Sequence, residues 1–91
     1  MKNALENIGR KKDDVLLKGP FITILGNKVQ IENYKKIYKV SDSEIIILFK
    51  SSYNNMVVQG ENLRLVLAST YMLIISGTIL NIKYPKRESN D

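Results

Sequence analysis

The chain has 91 residues, of which 44% are hydrophobic and 25% charged, and this suits one small globular domain. It contains no cysteine and no histidine, which excludes disulfides, thiol nucleophiles, cysteine-based zinc sites and the commonest general base. A net charge of +5 favours acidic partners, but the basic residues are dispersed along the chain, so a solvated surface is the preferred interpretation.

The first 18 residues are predicted to be a basic N-terminal arm. Ala4, Leu5 and Ile8 would form one apolar side of a short helix, which Gly9 and the charged run at residues 10–14 interrupt. A helix this short is marginal in isolation, so a disordered leader and a short helix both stay open. The arm lacks the apolar core of a secretory signal.

From Gly19-Pro20 onward, short strands alternate with turns, which predicts an all-β domain over residues 19–85. A polar tail, residues 86–91, follows Pro85, since proline cannot continue a strand ladder. About eight strands are predicted, at residues 21–25, 28–32, 35–40, 44–49, 55–59, 62–68, 71–75 and 78–84. The turns between them are predicted at Gly26-Asn27, Asn33, Ser41-Asp42-Ser43, residues 51–55, Gly60-Glu61, Ser69-Thr70 and Gly77. At Gly26-Asn27 and Gly77 a bulge is the alternative to a turn.

The glycines at these turns indicate a repeat. Gly26 and Gly60 lie 34 residues apart, Gly60 and Gly77 lie 17 apart, and the missing position falls at Ser43. Four two-strand units of about 17 residues would each need neighbours to bury their apolar face. The favoured architecture is an antiparallel sandwich or roll, because two-residue links suit hairpins. The alternative is a small β-solenoid in which each unit is one rung.

The segment Leu65–Ile82 is uncharged and just long enough for a membrane-spanning helix. Five polar residues, Gly77 and many β-branched residues favour strands instead.

No arrangement of residues proposes catalysis. The acidic residues lie at separate turns and strand ends, and the glycines are isolated and open no helix. The sequence therefore predicts a protein that is not an enzyme and that has no catalytic residue, metal or cofactor.

Basic and aromatic residues do alternate in one stretch, which gives the candidate interaction residues Tyr34, Lys35, Lys36, Tyr38 and Lys39. A regular strand would place Tyr34, Lys36 and Tyr38 on one face, and Lys35, Ile37 and Lys39 on the other. Since neither face is apolar, an edge strand protected by lysines is preferred. Binding of a polyanion or an acidic partner is the alternative.

Exposed strand edges would also favour association with other chains. The segments Ile45–Phe49 and Tyr71–Ile75 are strongly β-prone and would be aggregation hazards if unprotected. Self-association, or a partner protein docked at an edge, would cover them. We therefore expect a homo-oligomer or a docked partner.

Five blocks of the sequence carry a family resemblance. They are Gly19–Asn27, Val29–Ile37, Ser41–Ile47, Gly60–Leu65 and Ile75–Ile79, the last running on to Tyr84. Together they resemble the YqfC/YabP family of sporulation proteins over residues 15–84, and the Pro-x-Ile-Thr opening is closer to the YqfC-like branch. The Ile-Glu-Asn-Tyr-Lys stretch is the most specific. Tyr53-Asn54-Asn55-Met56 departs from the Gly-containing turn expected there, which predicts a wider hairpin.

The resemblance implies a non-enzymatic structural or adaptor protein of cortex or coat assembly in endospore-forming bacteria. It would act in the mother-cell cytoplasm, at the forespore membrane or the spore surface. The implied partners are further copies of the chain and a sporulation membrane protein; nucleic acid is disfavoured, and peripheral membrane association stays open. The alternative is a polyanion-binding β module directed at nucleic acid or anionic membrane.

Overall fold

A computed structural model of the chain describes residues 19–50 and 53–87, so the predicted arm, residues 1–18, lies outside the described residues. The described residues form six strands and no helix: β1 (Phe21–Leu25), β2 (Lys28–Glu32), β3 (Tyr34–Val40), β4 (Glu44–Phe49), β5 (Met56–Ala68) and β6 (Met72–Lys83). Every neighbouring pair is antiparallel, in the order β1-β2-β6-β5-β4-β3. The all-β class and the antiparallel pairing are confirmed. One open sheet stands in place of an eight-stranded sandwich or roll, and antiparallel pairing replaces the solenoid.

The strand count differs because two predicted breaks are bulges. Gly60-Glu61 is not a turn, since it lies inside the continuous β5, and Gly77 lies inside β6. Asn62 and Leu63 together oppose Gly77, and both Asn62 and Gly77 have positive φ, 54° and 133°. A bulge bends a strand without ending it. The glycines therefore mark local irregularities in long strands rather than strand ends.

Among the other predicted turns, Gly26-Asn27, Asn33, Ser41-Asp42-Ser43 and Ser69-Thr70 lie between strands, whereas the turn predicted at residues 51–55 lies partly outside the described residues. Gly26-Asn27 is a two-residue link between β1 and β2, with Gly26 at φ 63°. Ser41 closes the β3–β4 turn, where its hydroxyl accepts the backbone N–H of Glu44 at 3.0 Å. Residues Leu65–Ile82 lie in β5, the following turn and β6, so the membrane-helix alternative is wrong. Within the described part of the chain, no helix is long and apolar enough to cross a membrane.

The four positions of the 17-residue repeat meet in space along the bend of the sheet. Gly26, at the tip of the β1–β2 hairpin, lines the same depression as Gly77 in β6. The backbone N–H of Gly60 donates to the carbonyl of Ser43, at the β3–β4 tip, at 3.0 Å. Two hairpin tips thus abut the two bent strands, but the described residues do not form the four predicted two-strand units, because β5 and β6 run through Gly60 and Gly77.

The connection at Asn33 shows that the sheet is strongly curled. Only this residue, at φ 64°, separates β2 from β3, yet β6, β5 and β4 lie between those strands in the sheet. A flat sheet would hold β2 and β3 roughly 19 Å apart, whereas two chain steps span about 7 Å. The sheet therefore curves until its β2 and β3 regions meet. The backbone N–H of Asn33 donates to the carbonyl of Tyr71 at 2.9 Å and fixes this corner.

One hydrophobic core fills the concave side of this curve. It consists of Val29, Ile31, Tyr34, Ile45, Ile47, Phe49, Met56, Val58, Leu63, Leu73 and Ile75. The segments predicted as aggregation hazards thus lie in the interior strands β4 and β6, except for the exposed Tyr71, which precedes β6, and their core-facing side chains are buried. No residue of β1 is in this buried set, and Ile22 only packs against it in part.

Candidate functional site

Strand β3, which carries the predicted interaction residues, is an edge strand, as the lysine pattern predicted. It is not a regular strand. Its pairing with β4 shifts register twice, between Tyr34 and Lys36 and again between Ile37 and Lys39. Lys35 and Tyr38 are the extra residues at these two bulges. Each bulge resets the alternation of side chains.

The predicted face assignment in β3 is therefore wrong. Residues directly opposite each other in an antiparallel pair point to the same face. Tyr34 and Ile37 oppose buried residues of β4 and face the core, whereas Lys36 and Lys39 oppose Leu48 and Ile46 on the convex face. The bulges place both lysines on one side, and a strict period of two cannot predict that.

The five predicted residues also separate by role. Tyr34 is 8% exposed, and its hydroxyl donates a hydrogen bond to the carbonyl of Ser69 in the β5–β6 turn. It anchors the edge strand to the opposite part of the curled sheet and is not available to a partner. Lys35, Lys36 and Tyr38 are exposed, with Tyr38 66% accessible.

Lys39 is already engaged within the sheet. Its ammonium group lies 2.8 Å from a carboxylate oxygen of Glu44. The hydrogen bond and the positive charge of Lys39 lower the pKa of Glu44 below its ordinary value of 4.5. The amide of Gln59 donates to Glu44 at 3.5 Å, and that of Asn81 donates to Gln59 at 3.2 Å. A polar row thus crosses β3, β4, β5 and β6 on the convex face.

The opposite edge, β1, has contrasting properties. Its five residues pair with β2 in unbroken register, and none of them carries a charge. Phe21, Ile24 and Leu25 are 58%, 48% and 50% exposed. An uncharged, regular and apolar edge is a template for pairing with another strand.

Three of the exposed apolar residues elsewhere have a different cause. Tyr38, Val66 and Leu80 are each the extra residue at a register shift, in β3, β5 and β6 respectively, and bulges turn such side chains outward. The residues of β1 are exposed because, among the described residues, no strand lies beyond it. This edge was not predicted from the sequence, although an uncharged β-branched run lies next to the start of the domain. Only the strand order shows that it is unpaired on one side.

A polar depression of 510 Å³ lies where the β1–β2 tip meets the bend of the sheet. Its lining is Gly26, Asn27, Asn62, Arg64, Ser76, Gly77, Thr78 and Ile79. Arg64 is the one charged residue in that set, so the lining offers no acid–base pair. In the described ranges no three acidic residues group closely enough to hold a metal ion.

Comparison of the chain with family models, with curated proteins and with solved structures finds no match.

Proposed function

We propose that this protein is a non-enzymatic structural or adaptor protein that assembles by adding a β-strand at the β1 edge. The observation that carries the proposal is the unprotected state of that edge: regular register, no charge and exposed apolar side chains. Strand addition gives affinity through backbone hydrogen bonds and specificity through alternate side chains.

The contrast with β3 supports this role. Edge strands are normally protected by lysines, bulges or short length, because an open edge invites pairing. β3 has three lysines and two register shifts, whereas β1 has neither device. The same sheet therefore has one protected edge and one unprotected edge. This difference favours specific strand pairing at β1 over nonspecific aggregation.

We place this assembly in spore cortex or coat formation, and this part of the proposal is supported by the resemblance to the YqfC/YabP family. The resembling blocks occupy the shape-determining positions of the sheet. Asn33 and Tyr34 form the corner between β2 and β3, and Gly60–Leu65 and Ile75–Ile79 contain the bulge that bends β5 and β6. The protein would then act in the mother cell, bound to copies of itself or to a sporulation membrane protein.

Capture of partners from sporulating cells of an endospore-forming bacterium tests this proposal. Ile24→Pro would remove an edge N–H and block strand addition there, since proline is tolerated where the N–H faces solvent. We expect it, and Thr23→Lys as a second edge variant, to lose the captured partner. The matched control is the double variant Lys35→Glu/Lys36→Glu on β3, which should keep it. Equal capture by all variants would contradict the proposal.

The second candidate function, polyanion binding, rests on the exposed Lys35 and Lys36 beside Tyr38. Titration with a single-stranded oligonucleotide and with anionic vesicles at several salt concentrations tests it. Losing two phosphate contacts in Lys35→Glu/Lys36→Glu would reduce the slope of log K against log salt by about 1.4. Lys39→Glu should have a smaller effect because Glu44 already engages that lysine. Salt-independent binding, or none, would remove this candidate.

A further inference from the structure

We propose that the strand that pairs with β1 is β1 of a second copy, antiparallel to it, with a two-fold axis at Thr23. This inference rests on the proposed function and names its partner. The two sheets would join into one continuous sheet of twelve strands, since each described chain contributes six.

The backbone pattern of β1 selects this register. A two-residue hairpin turn closes on a pair that exchanges hydrogen bonds, here Leu25 and Lys28. Because bonding alternates along an antiparallel pair, Phe21, Thr23 and Leu25 direct their N–H and C=O groups toward β2. Ile22 and Ile24 then direct theirs outward, to the open edge.

Symmetry restricts the pairing further. Only Ile22 and Ile24 can form backbone hydrogen bonds across the edge. The two-fold axis must therefore place Ile22 opposite Ile24 of the second copy, or place one of these residues opposite the same residue of the second copy. Relating Ile22 to itself would place Ile24 against Pro20, which has no N–H to donate. Relating Ile24 to itself would place Ile22 against Gly26, which lies in the turn. The axis at Thr23 uses both outward residues and allows four hydrogen bonds.

In this register, the side chains of β1 in one copy are complementary to those of β1 in the other. Ile22 and Ile24 oppose buried residues of β2, so both lie on the core face, where each would pair with the other from the second copy. On the opposite face Thr23 would meet Thr23, and Phe21 would meet Leu25. Aromatic–aliphatic and Thr–Thr pairs across strands are favourable.

Charges next to this edge do not oppose the pairing. In β2, Glu32 lies beside Phe21 and Lys28 lies beside Leu25. The two-fold axis would place Glu32 of one copy and Lys28 of the other at opposite ends of the same cross-strand row, about 14 Å apart, so no like charges would face each other. Pairing of β3 with itself would instead bring Lys35, Lys36 and Lys39 of two copies together. A second copy therefore fits β1 and is disfavoured at β3.

The joined edge is short, so we expect a weak dimer with a dissociation constant on the order of 10 μM. Oxidative crosslinking tests the register directly, because the chain has no cysteine of its own. Thr23→Cys would place two thiols across the dyad at a Cα separation of about 4.5 Å, within disulfide range. Phe21→Cys would place them roughly 14 Å apart, beyond that range.

At about 100 μM full-length protein, ten times that dissociation constant, we expect disulfide-linked dimer from Thr23→Cys and at least fivefold less from Phe21→Cys. A mixture of Phe21→Cys with Leu25→Cys should crosslink, since those two residues are opposite in the proposed register. Equal crosslinking of Thr23→Cys and Phe21→Cys, or none in either, would overturn the dimer. The adaptor proposal would then still stand if Ile24→Pro loses its captured partner, and would fall if capture is unchanged.

A second test, with charged variants at Thr23, remains valid if a cysteine variant fails to fold. Thr23→Lys and Thr23→Glu should each weaken dimerisation at least tenfold, because like charges directly opposite are destabilising. Mixing the two variants should restore a dimer, which misfolded chains could not form. Gln30→Lys is the matched control: Gln30 lies directly opposite Thr23 in β2, one strand away from the edge, and its dimer should persist. Failure of the mixture to associate would contradict the axis at Thr23.

Discussion

Within residues 19–50 and 53–87 the sheet ends in two strands, β1 and β3, and each pairs with a neighbour on one side only. β3 combines lysines with two bulges, is anchored at Tyr34 and engages Lys39 with Glu44. β1 is regular and uncharged, and it contributes no residue to the buried core. Exposure alone therefore does not distinguish the two edges. The decisive features are the register and the charges of the strand that is exposed.

Removing the bend on which both edges depend should have the largest effect. A side chain at Gly60 would overlap the carbonyl of Thr78 across the β5–β6 pair. We expect Gly60→Ala to lower the free energy of unfolding by about 3 kcal/mol, measured by urea denaturation. Gly26→Ala is the control, because nothing lies within 4 Å of its added methyl group and only its positive φ is unfavourable. A cost of about 1 kcal/mol is expected there. Equal costs would contradict the close approach at Gly60.

Releasing the anchor of β3 should have the next largest effect. Tyr34→Phe removes the hydroxyl that donates to the carbonyl of Ser69 and leaves that acceptor unsatisfied. We expect a loss of about 1–2 kcal/mol in the free energy of unfolding. Tyr38→Phe, at a 66% exposed bulge residue of the same strand, should change it by less than about 0.5 kcal/mol. A larger loss from Tyr38→Phe than from Tyr34→Phe would show that the bulges are misplaced.

Removing the lysine charges of β3 tests whether its bulges also protect that edge from pairing with another strand. Both register shifts remain in Lys35→Thr/Lys36→Thr, and bulges twist an edge away from flat pairing. We therefore expect sedimentation to give an association constant within about twofold of the wild-type value, a change of about 0.4 kcal/mol. A strong gain in association would mean that the lysines alone protect β3.

The ion pair that anchors β3 to the convex face should have the smallest effect, with a defined pH dependence. The pKa of Glu44 is lowered by its hydrogen bond to Lys39 and by the charge of Lys39. The folded state therefore favours the carboxylate, and this stabilisation is present above pH 4.5 and is lost as the pH falls through the lowered pKa. The unfolding temperature of Glu44→Gln should be slightly lower than that of wild type at pH 7, and this difference should vanish at low pH. Since the pair is exposed, about 1 M salt should also remove the difference. A difference in unfolding temperature that grows as the pH falls would contradict the stabilising effect of the Glu44 carboxylate.

Local patterns predicted much of this fold. Alternation in residues 28–32 and the continuous apolar run at 44–49 became β2 and β4, and the turns at Gly26, Asn33 and Ser41 are where they were expected. Strand order and curvature are properties of long-range pairing, and no short window contains them. Gly77 gave the signal of a turn because a bulge and a turn both need an unusual backbone geometry. Gly60 is needed for another reason, since the carbonyl of Thr78 lies where a side chain would be.

The candidate site was predictable to a lesser degree. The lysines of β3 identified one edge, but the two bulges that place Lys36 and Lys39 on a single face leave no trace in a period-two pattern. The β1 edge escaped sequence analysis for a different reason. The run Phe-Ile-Thr-Ile-Leu reads equally well as an interior strand, and its exposure follows only from its place at the end of the strand order.

Amide hydrogen exchange, measured by NMR on the full-length chain at two protein concentrations, is the most direct test of strand pairing at β1. The amides of Ile22 and Ile24, which face the open side of β1, should become about fourfold more protected as the concentration rises from about 1 μM to about 100 μM, because a dissociation constant of about 10 μM would reduce the monomer fraction by about that factor. Amides along β3 should keep the same exchange rates. Protection that develops at β3 instead, or at neither edge, would contradict the account.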